Sequence, residues 1–140
     1  MATHVLVAMD SSERATAALE HALTDHPDAR LTVFHAIDPA EHIHAEDAQF
    51  TYDDVVADRR EHAEQLFDRA RELAAGEGRE IETATEVGKP AKAIVDYADA
   101  NDVDHIVVGS HGRSGVSRLL LGSVAEVVVR RASVPVTVVQ

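Results

Sequence analysis

The chain has 140 residues and no cysteine, and its 25 acidic residues outnumber its 13 basic residues to give a formal net charge of -12. A chain of this length can bury enough apolar surface to fold as one domain without disulfides or structural metals. The lack of cysteine excludes a disulfide framework, a thiolate zinc site and a cysteine nucleophile. The acidic balance disfavours nucleic-acid binding, which needs a basic surface.

The N-terminal segment and the charge composition predict the cellular location of the protein. The N-terminal residues carry no basic segment and the apolar runs are short, so we expect no signal peptide, no membrane partner and a cytoplasmic location. The basic residues include only two lysines, Lys89 and Lys92. Many carboxylates with little lysine are typical of a halophilic protein. In such a protein, dissolved salt screens the repulsion between the carboxylates. The alternative is an ordinary acidic cytosolic protein.

The first part of the chain alternates between strand and helix patterns. Residues 4–9 form an aliphatic run that ends at Asp10, Ser11 and Ser12, which are residue types that cap helices. The spacing of alanine and leucine predicts a helix over 13–23, and a second strand covers 31–37. Residues 38–52 show neither period, and we expect a long loop there.

The same alternation continues to the C-terminus. Gly76 and Gly78 should end a long helix, and Gly88, Lys89 and Pro90 should open the next one, with proline in its first turn. The predicted elements are a helix over 53–75, a strand over 81–87, a helix from 90, a strand over 105–109, one or two helical pieces over 115–132, and a strand over 134–139.

Five strands alternating with four helices predict an α/β fold. Such a chain forms right-handed crossovers, so we expect residues 1–140 to make a single doubly wound domain with a five-stranded, mostly parallel sheet and helices on both faces. Ligands in these sheets bind at the carboxyl ends of strands where the strand order reverses. The first and fourth strands end in Asp10 and Gly109, which makes their ends the candidate site.

The segment after the fourth strand has the composition of a phosphate site. It reads GSHGRSGVSRLLLGSV over 109–124, with one nearby cation, Arg113. Glycines let a phosphate approach the backbone N–H groups, and a following helix contributes positive charge at its N-terminus. Neither the Walker A pattern nor GxGxxG occurs. The alternative is that these glycines only make turns and pack.

The spacing of these glycines resembles a known family. Gly109, Gly112, Gly122 and Ser123 fit GxxGx9G followed by serine, which is similar to the ATP-binding branch of the universal stress proteins. The segments VLVAMDSSE, FHAID, GKPAKAIVDYA, DHIVVGSHGRSG and VPVTVV also resemble that family, in the same order along the chain. The resemblance implies an adenine nucleotide alpha hydrolase-like fold.

The resemblance also implies a set of nucleotide contacts. Ala8 and Asp10 would lie beside the adenosine, and Ala36 would touch the base. The ribose and phosphates would be wrapped by Val108, Gly109, Ser110, His111, Gly112, Arg113 and Ser114, and the phosphate chain would be bound by Gly122, Ser123 and Val124. The implied ligand is ATP, or AMP or ADP, with Mg²⁺, and no catalytic residue or protein ligand to a metal is assigned.

Several residues keep a plainer alternative. Asp10 could simply cap the first helix. His42 and His44 lie among carboxylates in the sequence. A solvated loop is a simpler interpretation of this segment than a metal site. His111 could donate to a phosphate or fill a turn. His35 is interpreted as a partly buried histidine with its hydrogen bonds made. The charged side of the 53–75 helix, with Arg59, Arg60, Glu61 and Glu64, is interpreted as solvated.

Three functions remain open at this point. The first is a stress-responsive ATP-binding switch or scaffold with slow or absent hydrolysis, because no lysine lies in the glycine segment. The second is a slow ATPase or an enzyme that phosphorylates its own Ser114 or Ser123. The third is a nucleotide-free interaction module. We also expect a homodimer through the last strand, which the resemblance implies as well, unless Pro135 blunts that edge.

Overall fold

The computed structural model describes residues 3–10, 12, 15–40, 51–110 and 121–140. Within them, strands and helices alternate as the sequence predicts. The elements in chain order are β1 (His4–Ala8), α1 (Ala15–Asp25), β2 (Arg30–Ile37), α2 (Tyr52–Ala75), β3 (Glu82–Val87), α3 (Pro90–Ala100), β4 (His105–Gly109), α4 (Ser123–Arg131) and β5 (Val136–Val139).

The five strands form one sheet with the order β3-β2-β1-β4-β5. Every neighbouring pair is parallel, and β1 lies at the centre between β2 and β4. The chain first builds outward from β1 through β2 to β3, and then crosses back to add β4 and β5 on the other side. The strand order therefore reverses between β1 and β4, where doubly wound sheets bind their ligands.

Helices cover both faces of this sheet, which confirms the predicted fold class. On one face, α1 and α2 bury Leu19 and Phe67 against Val7 of β1. On the other face, α3 and α4 bury Ile94 and Val128 against a second apolar cluster that includes Leu6. Val5, Leu6 and Val7 are completely buried, because a central parallel strand has no face left for solvent.

Local signals set several element ends. Gly88 has φ 154°, a conformation that side chains rarely adopt, and Pro90 follows at the first turn of α3, so this helix begins as predicted. The start of α2 has a signal that the sequence interpretation missed. The Thr51 hydroxyl accepts from the Asp54 N–H at 3.2 Å, while the Thr51 N–H donates to the Asp54 carboxylate at 3.3 Å. This capping box begins the helix at Tyr52.

One prediction is tested only in part, and another needs correction. Of the helical structure expected over 115–132, the described part begins at Ser123, where Gly122 has extended backbone angles and caps α4; residues 115–120 lie outside the described residues. Arg59 does not belong to a fully solvated face. Its side chain is half-buried, and among the described residues its Nε is the one buried side-chain nitrogen or oxygen without a hydrogen-bond partner.

Candidate ligand site at the switch point

The carboxyl ends of β1 and β4 lie side by side. Ala8, the last residue of β1, is paired with Val108 of β4, and on its other side with Phe34 of β2. Asp10 follows β1 at a distance of two residues, while Gly109 ends β4 and Ser110 follows it. The fold thus brings together two segments that are far apart in the sequence, at the edge of the sheet where a ligand is expected.

Small residues form the floor of this edge. Ala8 and Ala36 pack against the core cluster beneath α3 and α4, as does Val108. The preceding residues on the same face, Leu6 and Phe34, are completely buried, whereas Ala8 and Ala36 are half-buried. The completely buried core therefore gives way to small, partly exposed side chains at the carboxyl end of the strands.

Asp10 holds the loop that follows β1. Its Oδ1 accepts a hydrogen bond from the backbone N–H of Ser12 at 2.8 Å. This bond closes a turn of the type that aspartate side chains make with a backbone N–H two residues later. Ser12 precedes α1, which begins at Ala15, so this bond is not a cap of that helix. Asp10 is half-buried, and it lies at the end of the central strand.

The end of β4 is held to β5. Gly109 is paired with Val139, and the Ser110 N–H donates to the Val139 carbonyl at 2.7 Å. A Cβ placed on Gly109 would meet no atom of the described neighbours within 4 Å. Contacts with the described residues therefore do not demand a glycine at 109.

The N-terminus of α4 contributes backbone donors. Gly122 is buried and caps the helix with its carbonyl, which accepts from the Glu126 N–H at 2.9 Å. No side chain caps this end, and the first N–H groups of a helix have no partner within it. Val124 packs against the same core cluster as Ala8 and Ala36. This helix end therefore belongs to the α3–α4 face of the sheet, like the floor of small residues.

Four predicted contacts cannot be placed, because His111, Gly112, Arg113 and Ser114 lie outside the described residues. The histidines of the predicted loop, His42 and His44, lie outside them too. The interpretation of His35 is confirmed: its Nδ1 is 2.8 Å from the Met9 carbonyl oxygen. The sequence identified this histidine but not its partner, which no local pattern reveals.

One described cluster of titratable groups lies at the opposite edge of the sheet. At the amino ends of the strands, His4 Nε2 contacts the Thr32 hydroxyl at 2.8 Å, and Thr32 donates to Glu82 at 3.2 Å. The hydrogen bond from Arg30 is the largest influence on Glu82 and lowers the pKa of that carboxyl. Over the ranges that the structure describes, no group of three or more histidines and carboxylates could hold a metal ion, and no helix is long and apolar enough to cross a membrane.

The open parallel sheet and its reversal between β1 and β4 define a doubly wound α/β protein, and its switch point is the candidate ligand crevice. The sequence profile described as the universal stress protein family matches residues 1–140. The chain belongs to the universal stress protein family, which confirms the resemblance seen in its motifs.

Known proteins of this family are similar over nearly the whole chain. A universal stress protein of Methanocaldococcus jannaschii is 29% identical over 138 residues, which cover 97% of this chain and 81% of the relative. The solved universal stress protein UspA from Lactobacillus plantarum superposes with a TM-score of 0.81 at 26% identity, covering 99% of this chain and 97% of that one. A universal stress protein solved in complex with cAMP gives a TM-score of 0.74 at 29% identity, covering 99% and 97%.

Proposed function

We propose that this universal stress protein binds ATP, as its Mg²⁺ complex, at the switch point between β1 and β4. It acts as a nucleotide-dependent switch or scaffold in a stress response, and it hydrolyses ATP slowly or not at all. The observation that carries the proposal is the backbone at Gly109, which ends β4 next to the central strand β1 and is the first glycine of GxxGx9GS. The cAMP complex of a similar protein supports an adenine nucleotide as the ligand class.

Each part of the crevice has a role in this proposal. The half-buried Ala8 and Ala36 offer an apolar surface for the adenine, and Asp10 lies beside the adenosine. The segment from Val108 to Ser114 surrounds the ribose and phosphates. The backbone N–H groups of Ser123 and Val124, with Gly122 before them, bind the phosphate chain at the start of α4, where the helix dipole favours an anion.

The net charge of -12 opposes an anionic ligand at long range. Local interactions outweigh this repulsion, because backbone N–H groups and a helix N-terminus act within a few ångströms, whereas salt screens the distant carboxylates. Mg²⁺ further lowers the charge of the nucleotide. Binding therefore depends on the glycines that expose the backbone more than on cationic side chains.

Slow hydrolysis follows from the placement of the lysines. Efficient phosphoryl transfer usually uses a lysine on the phosphates and carboxylate-held Mg²⁺. Lys92 lies on α3 and pairs with Asp96 at 2.6 Å, and Lys89 precedes the same helix. Neither belongs to the glycine segment. The proposal therefore assigns binding, and no catalytic step, to this crevice.

We further propose how the protein assembles and where in the cell it works. Residues 1–140 would act as one domain in the cytoplasm, and two chains would pair through β5 to form a homodimer.

Nucleotide released by denaturing the purified protein, identified by mass spectrometry, gives a first check on the ligand. Only traces of adenine nucleotide after purification in Mg²⁺ buffer would count against tight binding.

The sharper test is Gly122→Val with titration calorimetry of Mg-ATP. A branched side chain at the buried cap would occupy the space before the first N–H groups of α4. We expect the affinity to fall more than tenfold, a loss of about 1.4 kcal/mol or more, while circular dichroism shows the fold intact. The control is Gly76→Ala at the end of α2, where the backbone is helical and the added Cβ makes ordinary contacts.

Three results would contradict the proposal. Unchanged affinity in Gly122→Val would mean that the phosphates bind elsewhere. Turnover of radiolabelled ATP that disappears in Asp10→Ala would make the chain a slow ATPase or an enzyme that phosphorylates Ser114 or Ser123. Absence of any adenine nucleotide binding by the unmodified chain would leave an interaction module that works without nucleotide.

A further inference from the structure

His35 continues the connection between β1 and β2 beyond the end of their pairing. The regular register ends at Ala8 and Phe34. One residue later, the Met9 N–H donates to the Phe34 carbonyl at 2.9 Å, and the Met9 carbonyl oxygen lies 2.8 Å from Nδ1 of His35. Since a carbonyl oxygen can only accept, Nδ1 carries the hydrogen and donates it.

This side-chain bond acts on the peptide unit that carries Asp10. The Met9 carbonyl and the Asp10 N–H belong to the same planar peptide group, so fixing the oxygen fixes the direction in which the chain enters Asp10. Asp10 then accepts from the Ser12 N–H at 2.8 Å. A continuous set of hydrogen bonds thus runs from β2 through Met9 and Asp10 to the start of the loop.

The position of His35 supports this role. It lies on β2 between Phe34 and Ala36, and neighbouring residues of a strand point to opposite faces. Ala36 belongs to the α3–α4 face with the floor of the crevice, so His35 lies on the opposite face. His35 is half-buried. It contacts the Met9 carbonyl from the face of the sheet opposite to the proposed nucleotide position. It can therefore orient the loop without occupying the space of the ligand.

We propose that His35 is a positioning residue for the nucleotide, which sets affinity by holding the Met9–Asp10 peptide in the orientation that presents Asp10 to the adenosine. This inference rests on the proposed nucleotide function. His35 itself does not touch the ligand, and its contribution is made before binding, because a loop already held in place loses less conformational freedom when the ligand arrives.

The test compares His35→Asn with His35→Leu. The asparagine Nδ2 lies at the same bond separation from the backbone as histidine Nδ1 and keeps a donor, whereas leucine keeps the bulk and removes the donor. We expect the Kd for Mg-ATP to rise about fivefold or more in His35→Leu, which is on the order of 1 kcal/mol as for one lost hydrogen bond, and to stay within about twofold in His35→Asn.

A second measurement needs no nucleotide. Amide hydrogen exchange at Ser12, whose N–H is bonded to Asp10, should become faster in the ligand-free His35→Leu variant and remain slow in His35→Asn. Unchanged affinity in His35→Leu, or equal losses in both variants, would overturn the positioning role. If the unmodified chain bound no nucleotide, the proposed function and the effect on affinity would both fall, while the exchange at Ser12 would still decide whether His35 holds the loop.

Discussion

His105 shows how a single side chain couples the protein to pH. Its Nε2 lies 2.7 Å from the Thr137 hydroxyl of the neighbouring strand β5, and its ring lies 5.0 Å from the ring of His26. Burial is the largest influence and lowers the pKa of His105, and the positive charges of His26 and His21 lower it further. The carboxylate of Asp25, which has the opposite charge, lies 3.0 Å from Nε2 of His21 on α1.

A pKa of His105 that is lower in the folded state than in the unfolded chain makes stability depend on pH. The unfolded state then binds more protons, so this contribution is complete above the ordinary histidine pKa of about 6.5 and is lost as the pH falls through the folded value. We expect unfolding free energy to decrease below pH 6.5, with His105 contributing at most about 1.4 kcal/mol per pH unit.

Denaturant unfolding between pH 7.5 and 5 measures this dependence. His105→Gln keeps a donor near Thr137 but cannot be protonated, and its stability should change less over this range than that of the unmodified chain. The matched control is His62→Gln on α2, where the side chain is 61% exposed, and it should leave the dependence unchanged. Parallel curves for the unmodified chain and His105→Gln would refute the assignment.

Among the described strands, β5 pairs with a neighbour on one side only. It lies at the end of the sheet beyond β4, and all four of its residues are partly exposed. The Pro135 carbonyl accepts a hydrogen bond from the N–H of Ile106 in β4. The Val139 carbonyl accepts one from the N–H of Ser110, which follows β4. Since backbone groups alternate along a strand, the N–H and carbonyl of Val136 and Val138 point away from the sheet. A second chain can pair there, which is the basis of the proposed dimer.

Val138→Pro should therefore produce monomers. Proline removes one outward N–H from the edge without adding charge, so light scattering after gel filtration should show the mass of one chain. Val138→Thr keeps the N–H and the branched shape, and it should remain a dimer. Circular dichroism confirms that each variant is folded. A Val138→Pro protein that keeps the mass of a dimer would place the interface elsewhere.

At the scale of the whole molecule, the charge is only weakly compensated. The described ion pairs are surface pairs, and most join residues three or four positions apart on one helix, as Lys92 with Asp96 and Arg130 with Glu126 do. Exposed pairs of this kind contribute little to stability. The excess of carboxylates over basic residues therefore leaves a repulsion that only dissolved ions can screen.

We expect the melting temperature to rise as KCl increases from low concentration to about 2 M. Screening shortens the range of the repulsion to a few ångströms, and a rise of about 4 °C would correspond to on the order of 1 kcal/mol for a chain of this length. Sucrose at equal osmolality is the control for effects of solvent exclusion. A melting temperature that is unchanged or lower in KCl would contradict the halophilic prediction.

Sequence alone determined the element types, and its site residues remain a prediction. Hydrophobic periods, Gly88 and Pro90 depend on neighbours within a few residues, so the β-α alternation and the start of α3 could be predicted. The family motifs added the nucleotide residues. Local patterns did not fix where α4 begins within the predicted helical segment; it starts at Ser123, because Gly122 has an extended backbone and caps the helix there.

Only the tertiary structure decided which distant residues meet. The strand order places Asp10 beside the end of β4, and it brings His35 to the Met9 carbonyl and His26 to the ring of His105. Contacts of this kind depend on strand register and on helix packing across the sheet. These are set by burial of the whole core, so no short stretch of sequence contains them.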